Sequence, residues 1–369
     1  MDTAIIFILI LGLLILVHEL GHFISAIKLG IDVEEFAIGF PPRIFSWTKK
    51  GIKYSLNWIP MGGFVKIKGE QGEGLDDPRS FVNQPAWKKL IVVAAGVFMN
   101  FVLAFVLLSA VFMVGFPQEI TSDLDNQNIR DKNVVILQIA KESPADKIGL
   151  EVGDKIIKVN NQTFENYEDV YAQLEMLRGE NVELAVLKTD SKPMVYNLRH
   201  EPIGDSGELM LGIGITETGI IDYGFFGSIK QGFVSTISMI GSIVKALYNL
   251  IADLITGKGL ADGFGGPIAV AVITGQVVKL GFVNIVYFAA ILSINLGVIN
   301  FFPFPALDGG RALFIAVQAI ARKKMNEKVE AWIHNSGFII LIAILVAVTF
   351  RDFGIYGRGI WEAVKSWFV

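Results

Sequence analysis

Along this chain, uncharged apolar runs of membrane length alternate with polar segments that carry a two-residue repeat. The runs are Ala4–Val17, Leu90–Phe116, Phe282–Leu307 and Asn335–Phe350. A helix crossing a hydrocarbon core needs about 20 mostly apolar residues. The second and third runs meet that outright. The first does so by continuing through His18 to about Lys28, and the last by taking in Ala331, Trp332 and Ile333. No basic residue precedes the first run and no small-residue cleavage pattern follows it, so it is expected to remain as a helix rather than serve as a cleaved leader. A further helical segment has another pattern: between Phe226 and Ile255, apolar residues fall at 226, 229, 233, 237, 240, 244, 247, 251 and 254. Lys230, Lys245, Asn249 and Asp253 lie off that stripe. One apolar face opposite a polar one predicts a helix resting on the outer leaflet.

The polar segments predict sheet. Val33 to Phe45 and Ile52 to Lys68 read as β-hairpins, with Gly51 and Gly62-Gly63 as turn points. Between about 120 and 203, strand patterns at Val134–Ile139, Gly153–Asn160 and Val182–Lys188 alternate with helices capped by Ser143 and Asn166, which predicts one soluble α+β module. Gly263–Pro267 breaks the chain before a short apolar segment whose relation to the membrane is open. The expected fold is an α-helical polytopic membrane protein: four transmembrane helices plus a membrane-associated β-hairpin element, with the α+β module inserted. Its membrane domain is expected in two halves, 1–116 and 282–369, with a linker and surface helix over 222–281.

Composition agrees. Of 369 residues, 52% are hydrophobic and 18% charged, below the roughly 25% charged of an average soluble domain. The net charge of −4 offers no basic face for nucleic acid. The absence of cysteine removes disulfides, thiolate metal sites and a cysteine nucleophile. Basic residues give an orientation. Ten of them, from Lys28 to Lys89, lie between the first two apolar runs, and Arg311, Arg322, Lys323, Lys324 and Lys328 lie between the last two. Both segments are therefore expected in the cytosol, and 117–281 outside it.

The chemistry sits at the end of the first span. His18-Glu19-Leu20-Gly21-His22 places two imidazoles four residues apart on one helix face, where both reach one Zn²⁺, with Glu19 beside them as general base. So short a pattern recurs by chance, but ionisable groups in a membrane helix are costly unless they are used. A catalytic zinc takes a third protein ligand. Of the two other histidines, His200 falls outside the cytosol and His334 stands isolated at the start of the last span. Asp308 is the better candidate: its span runs in the same direction as the first and ends at the same cytosolic depth. It is also a candidate cap for a helix starting at Gly309. Reading 226–255 as a crossing helix would invert that span and carry Asp308 to the wrong side. Pro303 and Pro305 break the helix ahead of it, and irregular backbone at membrane depth is tolerated where it lines a cavity. Asn300 suits either a substrate or oxyanion hydrogen bond or a bond between helices. The Tyr54–Val65 stretch, with Gly62, Gly63 and Phe64, suits either a strand edge that pairs with an extended peptide or ordinary packing.

At these residues the sequence resembles the site-2 protease family of intramembrane zinc metalloproteases, and most nearly its bacterial regulator-of-sigma-E protease branch. The resemblance covers nearly the whole chain: HELGH in the first span, the string Asn300-x-x-Pro303-x-Pro305-x-Leu307-Asp308-Gly309-Gly310, and the string Ser143–Gln162, which looks like a PDZ domain. It implies zinc ligation by His18, His22 and Asp308, catalysis by Glu19, and substrate holding by Asn300, Pro303 and Pro305. It also implies a membrane-re-entrant β element at Gly62–Phe64 that grips substrate. The implied setting is the bacterial inner membrane, with single-span transmembrane proteins as substrates, lipid around the helices and an extracytoplasmic PDZ domain. That domain serves as a size filter or takes a peptide ligand in its groove. The best-known members carry two PDZ domains, whereas one is found here. Two other functions fit parts of the pattern: a proteolytically inactive PDZ-containing scaffold or chaperone, and a transporter. The intact HExxH and Asp308 argue against the first. The second needs ionisable groups along a whole path through the spans, and they occur at this one site.

Overall fold

The computed structural model describes residues 2–70, 76–120, 129–140, 142–164, 166–188, 192–203, 208–257, 265–323 and 325–365. In chain order the elements are α1 (Asp2–Lys28), β1 (Val33–Lys49), β2 (Ile52–Ile67), α2 (Ala86–Val114), β3 (Pro117–Glu119), β4 (Ile129–Ile139), α3 (Pro144–Lys147), β5 (Lys155–Val159), β6 (Gln162–Thr163) and α4 (Tyr167–Met176). There follow β7 (Asn181–Leu187), β8 (Pro193–Arg199), β9 (Glu201–Ile203), β10 (Glu208–Met210), β11 (Ile213–Ile221), α5 (Gly224–Ile255), α6 (Pro267–Lys279), α7 (Phe282–Phe301), α8 (Asp308–Ala321) and α9 (Glu327–Lys365). The chain divides into two compact units, 1–109 with 230–369, and 110–229.

In the first unit, α1, α2 and α7 share an apolar core. Ile10 and Leu14 of α1 pack with Ala289 of α7, and Leu103, Leu107, Phe288 and Leu292 close around them. None of these side chains carries a polar atom, so they pack together at no hydrogen-bonding cost. Among the described residues five helices are long and apolar enough to cross a membrane: α1, α2, α5, α7 and α9. That is one more than the four spans expected, because α5, read from its stripe as surface-lying, also has a span's length and hydropathy. Near its start α5 closes on α2, with Gly232 against Ser109 and the Phe233 ring 6.2 Å from that of Phe105.

The segment after the first span also differs from the sequence reading. Two separate hairpins were expected; instead β1 and β2 form one long hairpin turning at Lys50-Gly51. Each strand bends so that the ends of the pair fold back on themselves. Residues 35–38 pair with 63–66 on one side and 53–56 on the other, and 43–49 pair with 52–57. The result is a small four-stranded arrangement, in order 63–67, 33–38, 53–56 and 43–49, whose middle pair runs parallel and whose two outer pairs run antiparallel; its outer edges are 63–67 and 43–49. Gly62 and Gly63 lie inside β2 rather than at a turn. Gly62, at φ +101°, sits against Ile15 of α1, and Gly63 against the Ala37 carbonyl, both too close for a side chain.

The segment whose relation to the membrane the sequence leaves open is partly outside the described residues, at Gly263 and Phe264. From Pro267 it is the short helix α6, which contacts α1, α7 and α9. Its N-terminus is capped from a distance. Asp352 of α9, 1% exposed, accepts from the N–H groups of Gly266 at 3.2 Å and Ala269 at 2.9 Å, and Gly275 lies against Thr3. At about 1.5 Å per residue, Thr3 is roughly 22 Å along α1 from His18. The short helix therefore bridges the ends of α1 and α9 that are remote from His18. Asp352→Ala would leave two donors unpaired, one of them buried and the other half-buried, and is expected to cost about 1–3 kcal/mol. Thermal unfolding in detergent measures it, and an unchanged melting temperature would show that Asp352 does not hold α6.

In the second unit the sheet runs β3-β11-β4-β5-β7-β8, with β6 beside β5. Val134, Ile136, Val159, Val182, Leu184 and Val186 fill its core against Val170 and Leu174 of α4. Ser143 and Asn166 cap α3 and α4 through Asp146 and Asp169 N–H, as the sequence predicts. The boundary at 203 falls short: β11 is an inner strand, so the module continues to Ile221. With four isoleucines and two threonines among its nine residues it is β-prone, and pairing with β3 and β4 on both sides places it within the sheet.

Candidate metal centre

His18, Glu19 and His22 lie on α1 where it crosses α2. The crossing is close because Gly21 packs on the Ala95 carbonyl and Gly96 lies directly under both imidazoles, and a Cβ at either position would overlap its neighbour. The rings are buried, at 6% and 8% exposure. One face of α2 holds them: the Val92 carbonyl accepts from His22 Nδ1 at 2.8 Å, and the Asn100 side chain lies 3.2 Å from His18 Nδ1.

Asp308 comes from the other half of the unit. After α7 ends at Phe301, the chain folds through Pro303 and Pro305 and turns at Ala306, φ +81°, into α8. Gly309 and Gly310 face the carbonyls of Phe301, Phe302 and Phe304 with no space for side chains. This fold-back brings the carboxylate toward α1. Asp308 is the first residue of α8 and Leu307 takes the cap position, so the capping role considered for Asp308 does not arise. The start of α9 braces the loop: Ala306 N–H donates to His334 Nδ1 at 3.1 Å, and Gly337 packs on Pro305. Arg311, one turn into α8, pairs with Glu70.

Three ligand atoms meet here. His18 Nε2 is 2.9 Å from Asp308 Oδ2 and 3.2 Å from His22 Nε2, and His22 Nε2 is 3.3 Å from Asp308 Oδ2. A carbonyl only accepts, so His22 Nδ1 carries the proton on the neutral ring and Nε2 presents a lone pair. That lone pair faces another imidazole nitrogen and a carboxylate oxygen, an arrangement that suits a cation between them. The spacing matches as well: tetrahedral zinc with bonds of roughly 2.0–2.1 Å has ligand–ligand edges of about 3.3 Å. The residues present fit a zinc ion.

Of the other predicted residues, Asn300 is beside the cluster, with Nδ2 3.4 Å from His18 Nε2. Glu19 is half-buried and accepts from Val65 N–H at 3.1 Å, off the outer edge of the 63–67 strand. By strand alternation Gly63 presents its backbone on that same edge. Phe64 faces Phe40, ring centroids 6.5 Å apart. Pro303 and Pro305 lie in the loop ahead of Asp308. His200 is in the second unit and takes no part. Sequence reasoning missed Val92, Gly96, Asn100 and the bracing role of His334. Asn100 left a signal, an amide inside the otherwise apolar run from 90 to 108, and such polar groups tend to be functional. A backbone carbonyl such as that of Val92 leaves none.

Residues 6–344 match peptidase family M50, and the chain belongs to that family, the site-2 proteases. Among its relatives, a Clostridium acetobutylicum chain provisionally named a zinc metalloprotease is 34% identical over 95% of this chain and 97% of its own length. The regulator of sigma-W protease RasP of Bacillus subtilis is 28% identical over 95% of this chain and 98% of its own. A solved PDZ domain of an SdrC-like protein from Listeria innocua aligns with 22% of this chain and 92% of its own, at 21% identity and a TM-score of 0.20.

Proposed function

We propose that this chain is a zinc-dependent intramembrane endopeptidase that cuts single-span membrane proteins in or beside their transmembrane helix. The observation carrying this reading is the convergence of His18 Nε2, His22 Nε2 and Asp308 Oδ2, each within 3.3 Å of the others. These three side chains hold the metal, and zinc bound there supplies Lewis acidity to water and to the scissile carbonyl. Glu19 takes the proton that water loses as its oxygen bonds to the carbonyl carbon. It returns that proton to the amide nitrogen as the C–N bond breaks. Asn300, next to His18, donates to the substrate backbone or to the developing oxyanion.

The substrate helix must unwind to be cut. An extended segment pairs with the outer edge at Gly63 and Val65, which faces Glu19, and Gly62, Phe64, Pro303 and Pro305 line its path. The orientation follows the basic residues: the zinc site lies toward the cytosol of a bacterial inner membrane, and 117–221 lies outside as a PDZ domain. That domain restricts access to substrates with a short extracytoplasmic part or a peptide end its groove accepts. A model single-span peptide incubated with the detergent-solubilised chain should be cut. A zinc chelator should stop cleavage and added Zn²⁺ should restore it. Cleavage that persists through thorough metal removal would sink the zinc mechanism.

A further inference from the structure

We infer that Asn100 is a positioning residue that fixes the His18 ring for zinc by accepting a hydrogen bond from its Nδ1–H. The inference rests on the zinc site proposed above and concerns what lies behind the ligands.

A histidine that gives Nε2 to a metal carries its proton on Nδ1, so Nδ1 is a donor and needs an acceptor. His22 has one in the Val92 carbonyl. For His18 the neighbour is the Asn100 side chain, fully buried at 0% exposure. The amide is placed with Nδ2 3.2 Å from His18 Nδ1, and Oδ1 has no hydrogen-bond partner among the described residues. Amide oxygen and nitrogen are assigned by their partners. With the proton on Nδ1, the amide turned by half a rotation makes a hydrogen bond, and the other orientation sets donor against donor. The amide is also held in place. Its helix is pinned by the Ser293 hydroxyl of α7, which donates to the Asn100 carbonyl at 2.8 Å. Val92, Gly96 and Asn100 are spaced four residues apart, so a single stripe of α2 serves both rings. The two supports differ in kind. Val92 uses backbone and tolerates any side chain that packs; Asn100 uses a side chain and is therefore open to test.

The test is zinc affinity of the full chain in detergent, read by competition with a chromophoric chelator, for the parent, Asn100→Leu and Asn100→Asp. Leucine keeps the volume and removes the acceptor, and should weaken zinc binding by about 10–100-fold. Aspartate restores an acceptor and makes the ring a better ligand, so it should bind zinc at least as tightly as the parent. A role in packing alone predicts the opposite for aspartate, since a buried charge would loosen both helix and site. Unchanged affinity in Asn100→Leu overturns the inference while leaving the metal site standing. If the leucine variant does not fold, weaker binding by Asn100→Asp than by the parent overturns it. A parent chain that binds no zinc removes the metal site and this inference together.

Discussion

Glu19→Gln is expected to abolish peptide cleavage while leaving the protein folded and loaded with zinc. Glutamine fills the same space and still offers an oxygen to Val65 N–H, so the contact at 3.1 Å survives. What it loses is basicity. Proton transfer by a placed carboxylate contributes roughly 10²–10⁴-fold to a hydrolysis rate, and cleavage of a model transmembrane peptide should fall by about that factor. Zinc content by atomic emission should match the parent. Turnover at the parental rate would remove Glu19 from the mechanism. The variant should also retain substrates long enough for them to be captured from membranes and identified.

Asp308→Ala is expected to abolish cleavage by a different route, through the metal. It leaves two imidazoles that α1 presents whether or not α8 is in place, and a tetrahedral site with one fewer anchor. Loss of a ligand should weaken zinc binding by more than the approximately 10–100-fold attached to outer partners, so the purified variant should carry little zinc. The contrast with Glu19→Gln is the informative part. One variant is inactive with the metal, the other inactive without it, and Asp352→Ala should be less stable yet keep zinc, because Asp352 caps α6 at the far end of the bundle. A fully loaded Asp308→Ala protein would exclude this carboxylate as a ligand.

Much of the membrane unit was legible because the bilayer restricts what a sequence can do. Long uncharged runs become helices, since unpaired backbone is not tolerated in hydrocarbon. The reading of α1, α2, α7 and α9 follows from that alone. The α5 stripe is less decisive: a helix with one apolar face and a helix apolar enough to cross overlap in composition, and neighbours rather than periodicity separate them. The hairpin was misjudged for another reason. Gly62-Gly63 reads as a turn because glycine permits one, yet here glycine answers the close approach of Ile15 and Ala37, which no local pattern announces.

The sequence by itself determined which atoms are available for chemistry: two imidazoles four apart on a helix, a carboxylate between them, an aspartate after a proline-broken span, and no thiol. Those follow from covalent spacing and helix geometry, which are local. Tertiary structure alone decided that residues 290 positions apart place their ligand atoms 2.9 Å from each other. It also decided that a stripe of α2 holds the imidazoles from behind, and that a strand edge faces Glu19. Each depends on backbones approaching at Gly21, Gly96, Gly309 and Gly310, where the absence of a side chain carries no periodic signal and matters only once the facing segment is in place.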